Sequence, residues 1–144
     1  MSRSAAILIR TAAIVVVIYV LLVAAFESLL GYFQPETPDT LVITTIDAQG
    51  DVHDRVLSGL ESDGKSYVAV NHWPRAWYRR AKDNPNVRIT RDGETKDYVA
   101  VPVSGEEHAR VARDNPVGIP FRIIVGFAPR EFVRLDPVEP GEEG

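Results

Sequence analysis

Every residue from Ala12 to Phe26 is Ala, Val, Ile, Leu, Tyr or Phe, and no acidic residue precedes Glu27. Few structures accommodate such a run. In lipid its backbone must satisfy itself, which a helix does within one segment. Taken from Thr11 to Phe33, a helix of about 23 residues is roughly 34 Å long at about 1.5 Å per residue, enough to cross a hydrocarbon core of about 30 Å with some tilt. Residues 1–33 therefore read as an N-terminal membrane anchor, with residues 11–33 in contact with the lipid bilayer and Glu27 and Ser28 near the far interface. The same segment also fits a cleaved signal peptide, because Arg3 and Arg10 form a charged start and Val23-Ala24-Ala25 a small-residue cleavage point. Apolar residues continue through Leu29, Leu30, Tyr32 and Phe33, which favours the anchor. Arg3 and Arg10 precede the span and no Lys or Arg lies between Phe33 and Arg55, so the expected topology is single-pass with a cytoplasmic N-terminus.

Beyond the span, residues 34–39 read as a linker whose prolines disfavour helix, residues 40–136 as one domain, and residues 137–144 as an acidic flexible tail. Three polar breaks ending in glycine, Asp47-Ala48-Gln49-Gly50, Asp63-Gly64 and Asp92-Gly93, punctuate β-type runs and predict antiparallel hairpins. Strands are expected at Leu41 to Ile46, Asp51 to Leu60, Ser66 to Val70, Asn86 to Arg91 and Glu94 to Val103, with Phe121 to Phe127 and Glu131 to Leu135 as further strands. A helix is expected from Pro74 to Lys82, ended by Asn84-Pro85. A second begins at Ser104, whose spacing from Glu107 is that of a capping box, and stops at Asn115-Pro116. The fold class is therefore mainly β with short helices, closed into a barrel that leaves few exposed edges.

With no cysteine, disulfides and thiolate chemistry are excluded. Without its first 33 residues the chain carries 14 Lys and Arg against 19 Asp and Glu, a net of −5 that argues against nucleic acid as a partner. His53, His72 and His108 are scattered and no metal site is expected. Neither a nucleophile elbow nor a dinucleotide fingerprint occurs.

Against this acidic background residues 71–91 hold Arg75, Arg79, Arg80, Lys82, Arg88 and Arg91 with only Asp83 opposing, a local +5. Both tryptophans fall there, in Asn71-His72-Trp73-Pro74-Arg75-Ala76-Trp77-Tyr78. Guanidinium groups beside aromatic faces suit a planar ligand with an anionic tail, whereas a solvated basic face and a barrel plug at Trp77 are the plainer alternatives. His72 has no carboxylate at a recognisable spacing and is read as a binding residue without a proton-transfer role.

Thr44-Thr45, the Gly50 turn, Arg55, the strand from Tyr67 to Asn71, Ala76-Trp77-Tyr78, Asn84-Pro85, Val87 and Asp92-Gly93 follow one another in an order that resembles the deazaflavin-dependent nitroreductase and quinone reductase family. The resemblance covers Thr40 to Leu135 and implies the split β-barrel of FMN-binding, pyridoxamine-phosphate-oxidase-like proteins. It also implies a cleft for a deazaflavin (coenzyme F420) or FMN, hydride transfer to a quinone-like or nitroaromatic small-molecule acceptor, and a homodimer. Arg55 matches a basic residue of the family's first hairpin and Trp77-Tyr78 the start of its helix, so the implied cofactor-binding set is Arg55, Asn71, His72, Trp73, Arg75, Trp77, Tyr78, Arg79 and Arg80. One departure is plain: where the family has Gly-Arg-Lys-Ser-Gly, this chain has Asp47-Ala48-Gln49-Gly50-Asp51, without a cation. A non-catalytic anchored barrel that binds a small ligand or protein is the alternative from another functional class.

Overall fold

The computed structural model describes residues 3–33, 38–73 and 75–139, so Pro74 and most of the expected linker and tail lie outside the described residues. Helix α1 (Arg3–Phe33) runs 31 residues, eight more at its start than the sequence reading assigned, because Ser4, Ala5 and Ala6 continue the helix without a breaker. The strands β1 (Thr40–Ile46), β2 (Val52–Ser62), β3 (Lys65–Val70), β4 (Asn86–Arg91), β5 (Glu94–Pro102) and β6 (Glu131–Pro137) close into an antiparallel barrel in the order β1-β2-β3-β6-β5-β4. Its final seam is short, Val42 to Thr44 against Arg88 to Thr90.

Turn chemistry sets the registers. Asp63 and Gly64 have φ of 51° and 70°, Asp92 and Gly93 of 52° and 79°, the paired positive values that a tight hairpin with the twist of its strands requires. Alternation then sends Leu41, Ile43, Val68, Val70, Val87, Ile89, Ala100, Val133 and Leu135 inward, each no more than 4% exposed. Helix α2 (Ala76–Asp83) closes one end of this core with Trp77, Tyr78 and Ala81, so Trp77 is a barrel plug as the plainer reading held. A smaller cluster of Tyr67, Val111 and Phe132 lies outside the barrel wall, under helix α3 (Gly105–Asp114).

Two local expectations are corrected. Phe121 to Phe127 does not form a strand: helix α4 (Ile119–Ile124) occupies its first part, and the chain then turns through Gly126 and Phe127, both at positive φ. Pro120 in the first helical turn and the Gly118 to Arg122 and Phe121 to Val125 backbone bonds favour helix over an apolar run that suits either form. Nor does Ser104 cap α3 through its side chain. Glu107 is drawn instead to the barrel, accepting from Tyr67 Oη at 2.8 Å and from Arg134 Nη1 at 2.9 Å, while Arg134 Nε reaches Asp136 at 2.7 Å.

That layer pins α3 to the sheet and makes stability pH-dependent. The Arg134 hydrogen bond holds the Glu107 carboxyl below its ordinary 4.5, and the same arginine lowers Asp136. A carboxylate whose folded value is depressed stabilises the fold above its unfolded value and loses that contribution as pH falls through the folded one. Melting temperature is expected to fall as pH is taken from about 6 to about 3, and Glu107→Gln is expected to flatten that fall. Thermal unfolding of both proteins across that range checks it.

Candidate functional site

Strands β2 and β3 stay paired only from Gly59↔Val68 to Ser62↔Lys65. The first half of β2 follows β1 instead, from Val52 to Ser58, and the barrel wall opens between Arg55 to Ser58 on one lip and Ala69 to Asn71 on the other. A cavity of about 260 Å³ fills the split, walled by Trp77 from α2 and by Phe26 and Leu30 from α1, with His72 and Phe121 closing its rim. Helix α1 is thus part of the site, which its sequence pattern did not show.

Its docking is specific. Tyr19 Oη donates to the Ile123 carbonyl at 2.7 Å. A Cβ on Gly126 would meet Val23 Cγ1 at 2.9 Å and Trp73 Nε1 at 3.2 Å, so this left-handed position (φ 64°) also permits the close approach of helix and turn. Glu27, 6% exposed, accepts from His72 Nδ1 at 3.0 Å, with the Phe26 ring 6.4 Å from the imidazole. The carboxylate partner that His72 lacked in the sequence lies 45 residues upstream. The available signal was an acidic residue in an apolar helix, which commonly marks a functional position.

The fold brings together four of the nine residues named from sequence: Arg55, Asn71, His72 and Trp77 line the cavity. Among the described residues Arg55 makes no ion pair. Asn71 Oδ1 accepts from Arg130 Nε at 2.9 Å, which leaves its amide N–H groups as donors. The other five point elsewhere. Arg75 is taken up by Glu131 and the Pro129 carbonyl, and Tyr78 Oη donates to Glu131 at 2.5 Å, burial being the main reason its hydroxyl is pushed up to about 12. Arg80 Nε donates to the buried Thr45 hydroxyl at 2.9 Å. Arg79 is exposed, and Trp73 lies outside the cleft against α1. The +5 segment therefore does not converge on one anion.

Two tests bear on a bound ring cofactor. The cleft suits a ring: its volume sits just below the range of about 300 to 1,000 Å³ usual for small-molecule sites, its walls are largely apolar and aromatic, and it offers one cation, Arg55, with four polar side chains, Thr40, Ser58, Asn71 and His72. The first turn does not suit a phosphate tail. Asp47 accepts from the Gln49 and Asp51 amides at 3.0 and 2.9 Å and from His53 Nε2 at 2.8 Å, a self-contained acidic turn whose carboxyl is lowered chiefly by the His53 bond.

A family model described as F420H(2)-dependent quinone reductase matches residues 18–117. The chain belongs to that family. The match spans strands β1 to β5, both lips of the cleft and the α1 residues that cover it. No curated relative matches. Among solved structures the chain is similar to HutZ of Vibrio cholerae, described as a heme storage protein (TM-score 0.54, 24% identity, 81% of this chain and 88% of that one). It is also similar to a protein of unknown function from Agrobacterium tumefaciens strain C58 (0.55, 15%, 69% and 48%). A third similar structure is described as a domain-swapped dimer (0.53, 18%, 68% and 80%). At these identities the likeness concerns the fold.

Replacing Glu27 with Leu removes the only hydrogen-bond partner described for the His72 ring, and because that ring is 28% exposed and can turn to water, the cost is expected at or below the low end of the about 1–3 kcal/mol of an unsatisfied buried group. The variant is expected to melt below the parent in detergent, with Glu27→Gln, which keeps an acceptor, intermediate; thermal unfolding of the three proteins checks it.

Proposed function

We propose that this chain is a membrane-anchored oxidoreductase that uses reduced deazaflavin, coenzyme F420, to reduce a quinone-like acceptor, with nitroaromatics as a second acceptor class and FMN as the lesser cofactor candidate. Family membership supports the chemistry. The observation that carries the assignment to a site is the split between β2 and β3, where Arg55, Asn71, His72 and Trp77 face one cavity beneath α1.

When bound, the deazaflavin supplies the hydride. The chain's own residues bind, orient and exclude water. Trp77, Phe26 and Leu30 give the apolar walls that keep solvent from a ring, and the Arg55 guanidinium balances negative charge on it. The Asn71 amide, held by Arg130, would supply N–H donors toward a bound ring. His72, with Nδ1–H donated to Glu27, keeps Nε2 for a ligand group. Since the Asp47–Asp51 turn offers no cation, the anionic tail lies elsewhere on the surface in this reading.

Anchoring by α1 is supported by its length of 31 residues and by the strongly apolar stretch within it. The Tyr19–Ile123 bond and the Val23–Gly126 contact lie upstream of the small-residue cleavage point, so a chain cleaved there loses both. A homodimer belongs to the same proposal. The acidic first turn favours a second reading, a non-catalytic anchored barrel that binds a ligand or partner. So does the cytoplasmic N-terminus read from Arg3 and Arg10, which would export the barrel of a single-pass chain. A reporter fused at Gly144 separates the two, since an exported barrel stands apart from a cofactor supplied in the cytoplasm.

The full chain in detergent is expected to shift the absorbance of added deazaflavin and to bind it at least as well as FMN. Arg55→Ala is expected to weaken that binding about tenfold, or ~1.4 kcal/mol. Failure to take up either cofactor overturns the enzyme reading; uptake without turnover on quinones or nitroaromatics leaves the binding module.

A further inference from the structure

Helix α1 leaves the barrel too little free length to span a bilayer clear of it. Tyr19 is already bonded to the barrel, so Arg3 to Ile18 supply at most ~24 Å at ~1.5 Å per residue, short of a hydrocarbon core of about 30 Å. A span of about 20 residues counted from Ser4 ends at Val23, and one counted from Thr11 ends at Leu30. On the first count Tyr19, and the Ile123 carbonyl bonded to it, lie about 6 Å inside the end of the span, the depth of the interface, and on the second they lie deeper.

The surface at that level is built for lipid. Trp73, Ile119, Ile123, Ile124 and Phe127 are 45 to 69% exposed and flank α1, and a groove of about 540 Å³ lined by Val20, Val23, Ala24, Trp73 and Gly126 continues the apolar surface from helix to barrel. Arg122, from α4, sits over the Phe127 ring at 5.6 Å, a position from which a guanidinium can snorkel toward headgroup phosphates. An indole at the edge of an apolar face is what the boundary between acyl chains and headgroups favours.

We propose that α4, Trp73 and Phe127 form a docking face for the phospholipid bilayer, so that the barrel is seated in the membrane interface beside α1 rather than held off it on a tether. The proposal rests on the anchored reading of α1. Seating places the lip of the β2–β3 cleft that carries Phe121 and His72 at the lipid boundary.

The full chain, reconstituted into vesicles of plain phosphatidylcholine or of the same lipid brominated on its acyl chains, tests this by flotation and by tryptophan fluorescence. Trp73 and Trp77 are the only tryptophans, and Trp73→Phe, at a half-exposed position, assigns the signal while leaving the buried Trp77 in place. Bromine quenches on contact, so for a ring buried about 5–10 Å into the headgroup and acyl boundary the Trp73 component is expected to fall by half or more in brominated vesicles and to resist aqueous acrylamide. Trp73→Phe is expected to abolish the bromine effect. If the chain floats with vesicles while Trp73 is quenched by acrylamide and untouched by bromine, the seating is overturned and the anchor stands. If the chain does not float, the anchored reading fails and the seating with it.

Discussion

Strand β2 is shared between two partners, and the geometry of the site depends on that division. Its first seven residues pair with β1 and its last four with β3, so the wall is continuous at one end and parted at the other. A parted wall exposes apolar core to water unless something fills it. Trp77 fills it from inside the barrel and Phe26 and Leu30 from outside, and the volume left between them is the cleft. Helix α1 is therefore a structural part of the domain it precedes, and the Glu27–His72 bond gives the contact one fixed register.

Most of the barrel was legible because its determinants are local. Asp63-Gly64 and Asp92-Gly93 adopt the positive φ values their sequence suggests, and once those turns are set, alternation decides which side chains face inward. Phe121 to Phe127 was misread because an apolar run of that length suits strand or helix equally, and the deciding residues were Pro120 just before it and Gly126 near its end. The capping box failed for another reason. Glu107 had a stronger competitor in Arg134, 27 residues away, and a charge-assisted pair outweighs a bond to a free backbone donor.

The basic segment shows the limit of counting charge along a chain. Arg75, Arg79 and Arg80 leave α2 in different directions, and two of them are claimed by groups from other strands, Glu131 on β6 and Thr45 on β1. The cation that faces the cleft is Arg55, which stands outside the segment and was named through the family pattern. Glu27 was read as a residue tolerated near an interface because its partner, on the far side of three strands in sequence, had no local trace.

That pair also joins two surfaces that look unrelated along the chain. Glu27 lines the apolar groove between α1 and Trp73, and His72 lines the cleft in the barrel wall, so one hydrogen bond of 3.0 Å stands between them. A buried carboxylate is retained beside apolar surface only where it is paired, since an unpaired charge there is costly. Here the pairing fixes, through Nδ1, the orientation of an imidazole at the rim of the cleft. Helix α1 thus positions a side chain of the cleft as well as covering it, and the way α1 sits is tied to the cleft through His72.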